Sequence, residues 1–134
     1  LDKFIKKRKQ IAKIYDKSFI IDNKFEIPYT SKYSSHAYHL YPLQINFKLI
    51  KKTKKKIFFF FKKKKINLQV HYIPIHLQPF YKKKFGFKKG SFAKAERFYE
   101  NQVSLPIYYS LQKKHIYRII KLVKNFVQYK WKLL

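Results

Sequence analysis

The residues of this chain whose types and spacing point to chemistry lie in Val70-His71-Tyr72-Ile73-Pro74-Ile75-His76, followed by Gln78-Pro79-Phe80-Tyr81 and Phe85-Gly86-Phe87-Lys88-Lys89-Gly90. Imidazole and phenol groups exchange hydrogen bonds in either direction, so they suit hydroxyl and anionic oxygens. In an extended strand His71 and Tyr72 point to opposite faces, and only one looks into a given cleft until the chain bends at Pro74. A second role stays open, in which the histidines only satisfy buried backbone groups. His71 and His76 could also approach across a turn as two metal ligands, but a third is missing. Glu96 and Glu100 stand at no ligand spacing such as His-Glu-x-x-His, and no metal is expected.

Other spellings carry less. Ser91-Phe92-Ala93-Lys94 has the Ser-x-x-Lys form of some serine acyl enzymes, without their partner motifs. Gly86 and Gly90 are the only glycines and form no phosphate loop, although Lys82–Lys84, Lys88 and Lys89 would concentrate an anion around them. Asn101, Ser104 and the lysines after Tyr81 read as solvated or capping residues. Upstream, Ser34-Ser35-His36-Ala37-Tyr38-His39-Leu40-Tyr41-Pro42 offers large rings with polar tips, and His36, Tyr38, His39 and Tyr41 read as packing residues of a sheet.

These residues must be positioned by elements that the patterning outlines. Leu1, Phe4, Ile5, Ile11, Ala12, Tyr15 and Phe19 fall on one face of a helix over residues 1–18. Residues 20–32, with Pro28, read as a loop holding a short extended piece. Leu43, Ile45 and Phe47 alternate with Gln44 and Asn46 in a half-buried strand within 37–47. Residues 48–65 are good helix formers, but four consecutive phenylalanines, Phe58 to Phe61, cannot share one helix face, and flanking lysines repel at helical spacing. A second strand is predicted over 69–75, interrupted by Pro74, then a loop over 76–91. A short helix over 94–101, a strand over 103–107 cut by Pro106, and a helix over 111–129 with an apolar stripe of Ile116, Ile119, Ile120, Val123 and Val127 complete the chain.

Length and composition bound the rest. The 134 residues, 46% hydrophobic, fit one domain with a modest core. The absence of cysteine excludes a disulfide framework and thiolate metal sites, and the cytoplasm is the default compartment. The longest apolar run, Ile57 to Phe61, is too short to span a bilayer, and the first residues lack the features of a signal peptide. The formal charge is +27, yet among 33 basic residues only Arg8, Arg97 and Arg118 are arginine. Arginine's planar fork is what base readout and bidentate phosphate contacts favour. Abundant Lys, Ile, Phe and Tyr beside scarce Gly and Ala match A/T-rich codons, so much of the charge is read as compositional drift and no specific nucleic-acid partner is expected.

Taken in order, these blocks, with Ala95-Glu96-Arg97-Phe98-Tyr99 and Ser104-Leu105-Pro106, resemble the C-terminal part of the sugar aminotransferases of the DegT/DnrJ/EryC1/StrS family. The resemblance runs from Arg8-Lys9-Gln10-Ile11-Ala12-Lys13-Ile14-Tyr15 to about Leu122. It implies an α+β fold, the small C-terminal domain of fold type I pyridoxal phosphate aminotransferases, with an antiparallel sheet of about three strands covered by helices. It further implies amino transfer from glutamate to C4 of a UDP-linked 4-keto-6-deoxy sugar in a homodimeric parent that uses pyridoxal 5'-phosphate. His71, Tyr72 and His76 would then border the substrate and bond its hydroxyls or diphosphate. The Schiff-base lysine and the aspartate under the pyridine nitrogen lie upstream in the family, so no residue here is expected to be catalytic. Leu1 as first residue and the lack of methionine point to residues 1–134 as a fragment without the large domain, inactive alone. The rivals are a lysine-rich module for nucleic acid or an anionic surface, with Tyr and Phe stacking on bases, and an inactive gene remnant.

Overall fold

The computed structural model describes residues 1–128. Helix α1, Asp2–Phe19, buries Ile11, Ala12, Tyr15 and Phe19, the i, i+1, i+4, i+8 stripe of one helical face. The expected face continues less far than the pattern indicated, since Leu1 and Phe4 are 86% and 51% exposed. After α1, the Asp22 carboxylate accepts from the Lys24 N–H at 3.0 Å and turns the chain into the short strand β1, Phe25–Glu26. Strand β2, Tyr41–Ile45, buries Tyr41, Leu43 and Ile45, the period of two that the sequence showed, in a shorter span than 37–47.

Helix α2, Lys54–Lys63, begins at Thr53, whose side chain accepts from the Lys56 N–H and satisfies one of the free donors of the first turn. The phenylalanine run is regular helix. Ile57 and Phe61, four apart, enter the core, whereas Phe59 stays 60% exposed. Helix α4, Ala93–Asn101, leads directly into strand β3, Gln102–Leu105, and helix α5, Lys113–Gln128, buries Ile116, Ile119, Ile120, Val123, Phe126 and Val127. The predicted end of this last helix at Tyr129 lies outside the described residues.

The sheet is antiparallel in the order β1-β2-β3. Tyr41 stands opposite Leu105, Leu43 opposite Val103 and Phe25 opposite Ile45. These apolar pairs face the core with α1, α2 and α5. Tyr15 and Tyr41 pack at 4.8 Å between ring centroids, and each buried phenol finds an acceptor: Tyr15 donates to the Pro106 carbonyl at 2.8 Å and Tyr41 to the Asp16 carboxylate at 2.7 Å. Burial pushes both phenols well above the usual tyrosine range.

Two expectations are corrected. Residues 69–75 are not a strand: Gln69 alone makes an isolated antiparallel bridge to Ser104, and the third strand is β1 instead. Pro74 has no N–H to donate and ends the extended run. Residues 76–91 are not a plain loop either, because a 3-10 turn, Ile75–Leu77, is followed by helix α3, Pro79–Phe85. Pro79 occupies its first turn and Gly86, in the left-handed region at φ 68°, stops it. The structure is α+β: five α-helices among the described residues and a three-stranded antiparallel sheet.

Candidate functional site

All four residues of β3 are buried, although a strand presents alternate residues to opposite faces. Val103 and Leu105 enter the apolar core, so Gln102 and Ser104 look out of the opposite face, and there they meet the segment that carries His71. Ser104 exchanges backbone hydrogen bonds with Gln69, which brings the chain alongside β3. The His71 N–H then donates to Gln102 Oε1 at 3.2 Å, His71 Nδ1 lies 2.8 Å from Ser104 Oγ, and Gln102 Nε2 donates to the same hydroxyl at 2.5 Å. The expected solvated or capping role of Ser104 is corrected by its 4% exposure. Tyr72 projects beyond this anchor, 74% exposed, with its ring edge-on to His71 at 4.8 Å.

His76 is placed differently. It sits in the 3-10 turn at 6% exposure, and its Nε2 lies 2.8 Å from Glu96 Oε1. The Glu96 carboxylate, on α4, also accepts from the Gly90 N–H at 2.8 and 2.9 Å and from the Phe92 N–H at 3.4 Å. The bond from His76, aided by those from Gly90 and Phe92, outweighs burial and holds the Glu96 carboxyl below the usual range. An ionised carboxylate only accepts, so the His76 Nε2 carries the proton. Phe92 and Phe87 pack on its ring at 4.8 and 6.4 Å. Glu96 thus ties three pieces of chain together, which its sequence spacing did not reveal.

The three expected site residues therefore fall on one excursion, residues 70–92, but only His71 and Tyr72 reach outward from it. No interaction joins His71 to His76, and among the described residues no three acidic or histidine side chains are grouped to hold a metal. In the upstream block, His36 Nδ1 accepts from the Tyr38 N–H at 2.9 Å and the Tyr38 hydroxyl pairs with Thr30 Oγ1 at 3.2 Å, local contacts that shape the approach to β2. Ser91 Oγ accepts from the Lys88 N–H at 3.0 Å and closes a turn. Sequence reasoning passed over Gln102, read Ser104 as solvated or capping, and weighed Glu96 only as a metal ligand. The alternation Gln-Val-Ser-Leu in β3 was the available sign of a polar face.

Pyridoxal phosphate requires an amine for imine formation, a carboxylate opposite its ring nitrogen and donors around its phosphate. Here the half-buried Lys54, pushed down to about 8 by burial, donates to the Tyr99 carbonyl, and Lys52 donates to the Phe126 and Val127 carbonyls. Asp16 is held by Tyr41, and Glu96 by His76 and the Gly90 turn. These inward-turned amines and carboxylates are engaged with the fold and do not by themselves fit the cofactor.

Residues 1–124 match the DegT/DnrJ/EryC1/StrS aminotransferase family. The protein MJ1066 of Methanocaldococcus jannaschii is 43% identical over 122 residues, 91% of this chain and 32% of that protein. The UDP-4-amino-4,6-dideoxy-N-acetyl-β-L-altrosamine transaminase of Campylobacter jejuni is 32% identical over 114 residues, 85% of this chain and 30% of that enzyme. The structure of Helicobacter pylori PseC, an aminotransferase involved in the biosynthesis of pseudaminic acid, superposes with a TM-score of 0.81 at 28% identity, covering 94% of this chain and 33% of PseC. This chain spans about a third of the length of these relatives. The order of its elements and the match over nearly its whole length establish that the chain belongs to the DegT/DnrJ/EryC1/StrS aminotransferase family.

Proposed function

We propose that residues 1–134 form the small C-terminal domain of a sugar aminotransferase whose large domain binds the cofactor. The observation that carries this reading is the family match over residues 1–124, which takes in the sheet, the 70–92 excursion and the helices that hold it. The reaction is amino transfer from glutamate to C4 of a UDP-linked 4-keto-6-deoxy sugar, in a cytoplasmic homodimer. Pyridoxal phosphate, held outside this chain, supplies the electron sink. This domain's part is binding. His71 and Tyr72 bond substrate oxygens, and the buried His76–Glu96 pair sets the position of the segment that presents them. Tyr72, Ile73 and Ile75, all more than half exposed, line the same stretch and exclude water when a second domain closes on it.

The test reads the coding DNA upstream of Leu1 for an in-frame large domain with a Schiff-base lysine. That complete product is then incubated with pyridoxal phosphate, glutamate and a UDP-4-keto-6-deoxy-N-acetylhexosamine. Formation of the 4-amino sugar supports the proposal, and an upstream frame that encodes no such domain overturns it.

A second reading, a binding module for polyanions, is favoured by one feature. Lys65, Tyr108, His115 and Arg118 line a cavity of about 350 Å³. Fluorescence anisotropy with RNA of defined sequences decides it: binding that discriminates among them supports the module, and equal affinities that vanish with salt mark the charge alone.

A further inference from the structure

The polar face of β3 does more than hold His71 in place. Gln102 Oε1 accepts from the His71 backbone N–H, a donor that cannot be reversed, so its amide orientation is settled: the opposite assignment would oppose two donors. Gln102 Nε2 must therefore donate to Ser104 Oγ. The Ser104 hydroxyl is buried, its oxygen is engaged by that amide, and its own proton needs an acceptor. The neighbouring acceptor is His71 Nδ1, 2.8 Å away.

The polarity then runs in one direction, from Gln102 through Ser104 to His71. Nδ1 receives, and the neutral imidazole carries its proton on Nε2. The imidazole is half-buried, and the single buried side-chain polar atom without a partner among the described residues is Nε of Arg8. His71 Nε2 thus reaches solvent, and no described residue bonds it.

We propose that Gln102 and Ser104 are positioning residues that lock His71 as an outward Nε2–H donor, which recognises an oxygen acceptor on the substrate: a phosphate, carbonyl or hydroxyl oxygen of the nucleotide sugar. The choice of ligand rests on the aminotransferase reading, whereas the direction of the hydrogen bonds does not. A donor fixed before binding loses no orientational freedom on meeting its acceptor. It also discriminates against a ligand group that only donates, because two opposed donors are repelled.

The test has two arms. In the first, two-dimensional nitrogen–proton correlation spectra of the ¹⁵N-labelled 134-residue chain are recorded at alkaline pH for the wild type, Ser104→Ala and Ser104→Thr. The expected wild-type pattern for His71 is an unprotonated Nδ1 and a protonated Nε2. Ser104→Ala moves both ring nitrogens toward the averaged values of the exposed His39, and Ser104→Thr, which keeps the hydroxyl, restores the wild-type values. A wild-type His71 protonated at Nδ1 overturns the proposal even if the alanine variant does not fold, as do identical ring shifts in all three proteins.

The second arm uses the complete enzyme. Ser104→Ala is expected to raise KM for the nucleotide sugar about tenfold, near the worth of one hydrogen bond, with kcat little changed and Ser104→Thr close to wild type. An unchanged KM overturns the substrate assignment. A complete protein without transaminase activity removes the sugar as ligand but leaves the spectroscopic result standing, so the two failures are told apart.

Discussion

The core around β2 and the 70–92 excursion are built on opposite principles. Around β2, Tyr15, Phe19, Tyr41, Leu43, Ile45, Ile57, Phe61 and Val103 are wholly buried, and stability there grows with apolar area removed from water. The excursion buries one side chain, His76, while Tyr72, Ile73, Ile75, Phe80 and Phe85 remain more than half exposed. It is held by directional bonds to two hubs, Ser104 with Gln102 at its start and Glu96 at its end. Area holds many arrangements almost equally well, whereas a few directional bonds select one. That difference fits the proposed role of a segment that presents donors at set positions and yields to a second domain.

Each half of the comparison can be broken separately. The largest effect is expected in the core: Phe19→Ala removes a fully buried ring that packs on Phe25 at 4.9 Å and should cost about 3–5 kcal/mol, read as a lower urea midpoint for the whole chain. Glu96→Ala should instead free the Gly90 and Phe92 amides, which donate to its carboxylate. Hydrogen exchange would show their protection lost while amides in β2 and β3 keep theirs. Loss of protection throughout would mean that the two regions fold as one unit.

Acid should separate the regions in the same sense. The Glu96 carboxyl is held below its ordinary value; a depressed folded-state value contributes stability present above the unfolded value and lost as pH falls through the folded one. Asp16 has the opposite sign. Burial raises it against the bond from Tyr41, so its contribution is present below the unfolded value and lost as pH rises through the folded one. Acidification should therefore release the amides around Glu96 while the contact of α1 with β2 through Asp16 holds, with amide chemical shifts against pH as the measurement. The smallest effect is expected for Thr53→Ala, which removes the N-terminal cap of α2 at a cost of about 1 kcal/mol, visible as a small drop in thermal midpoint.

The apolar half was largely legible. The stripe from Ile116 to Val127 and the alternation in β2 are periodic signals, and periodicity needs only local geometry to be read. The phenylalanine run misled because identical side chains carry no phase. Only the position of α2 against Phe126, whose ring meets Phe60 at 5.7 Å, determines which rings turn inward. The stretch from Gln69 was misread for a different cause. Its residues favour strand, but a strand needs a partner along its length, and β3 offers one only at Ser104.

The polar half was half legible. Histidine and tyrosine at 71, 72 and 76 stand out by type, and the family resemblance followed from their order. Glutamate 96, glutamine 102 and serine 104 are ordinary residues whose weight comes from partners 20, 31 and 33 positions away, separations that local spacing cannot encode. Among 33 lysines and arginines, the few turned inward, such as Lys54 onto the Tyr99 carbonyl, carry no mark in the sequence either.

Sequence by itself determined the helical and strand periods and the α+β class, which follow from side-chain types repeated at fixed intervals, and it carried the family resemblance in the order of its motif blocks. Tertiary structure alone decided that β1 rather than residues 69–75 completes the sheet, that His76 is enclosed by Glu96, and that His71 faces outward on a bonded support. Each of these depends on which distant groups come within about 3 Å of one another, the range over which a hydrogen bond acts.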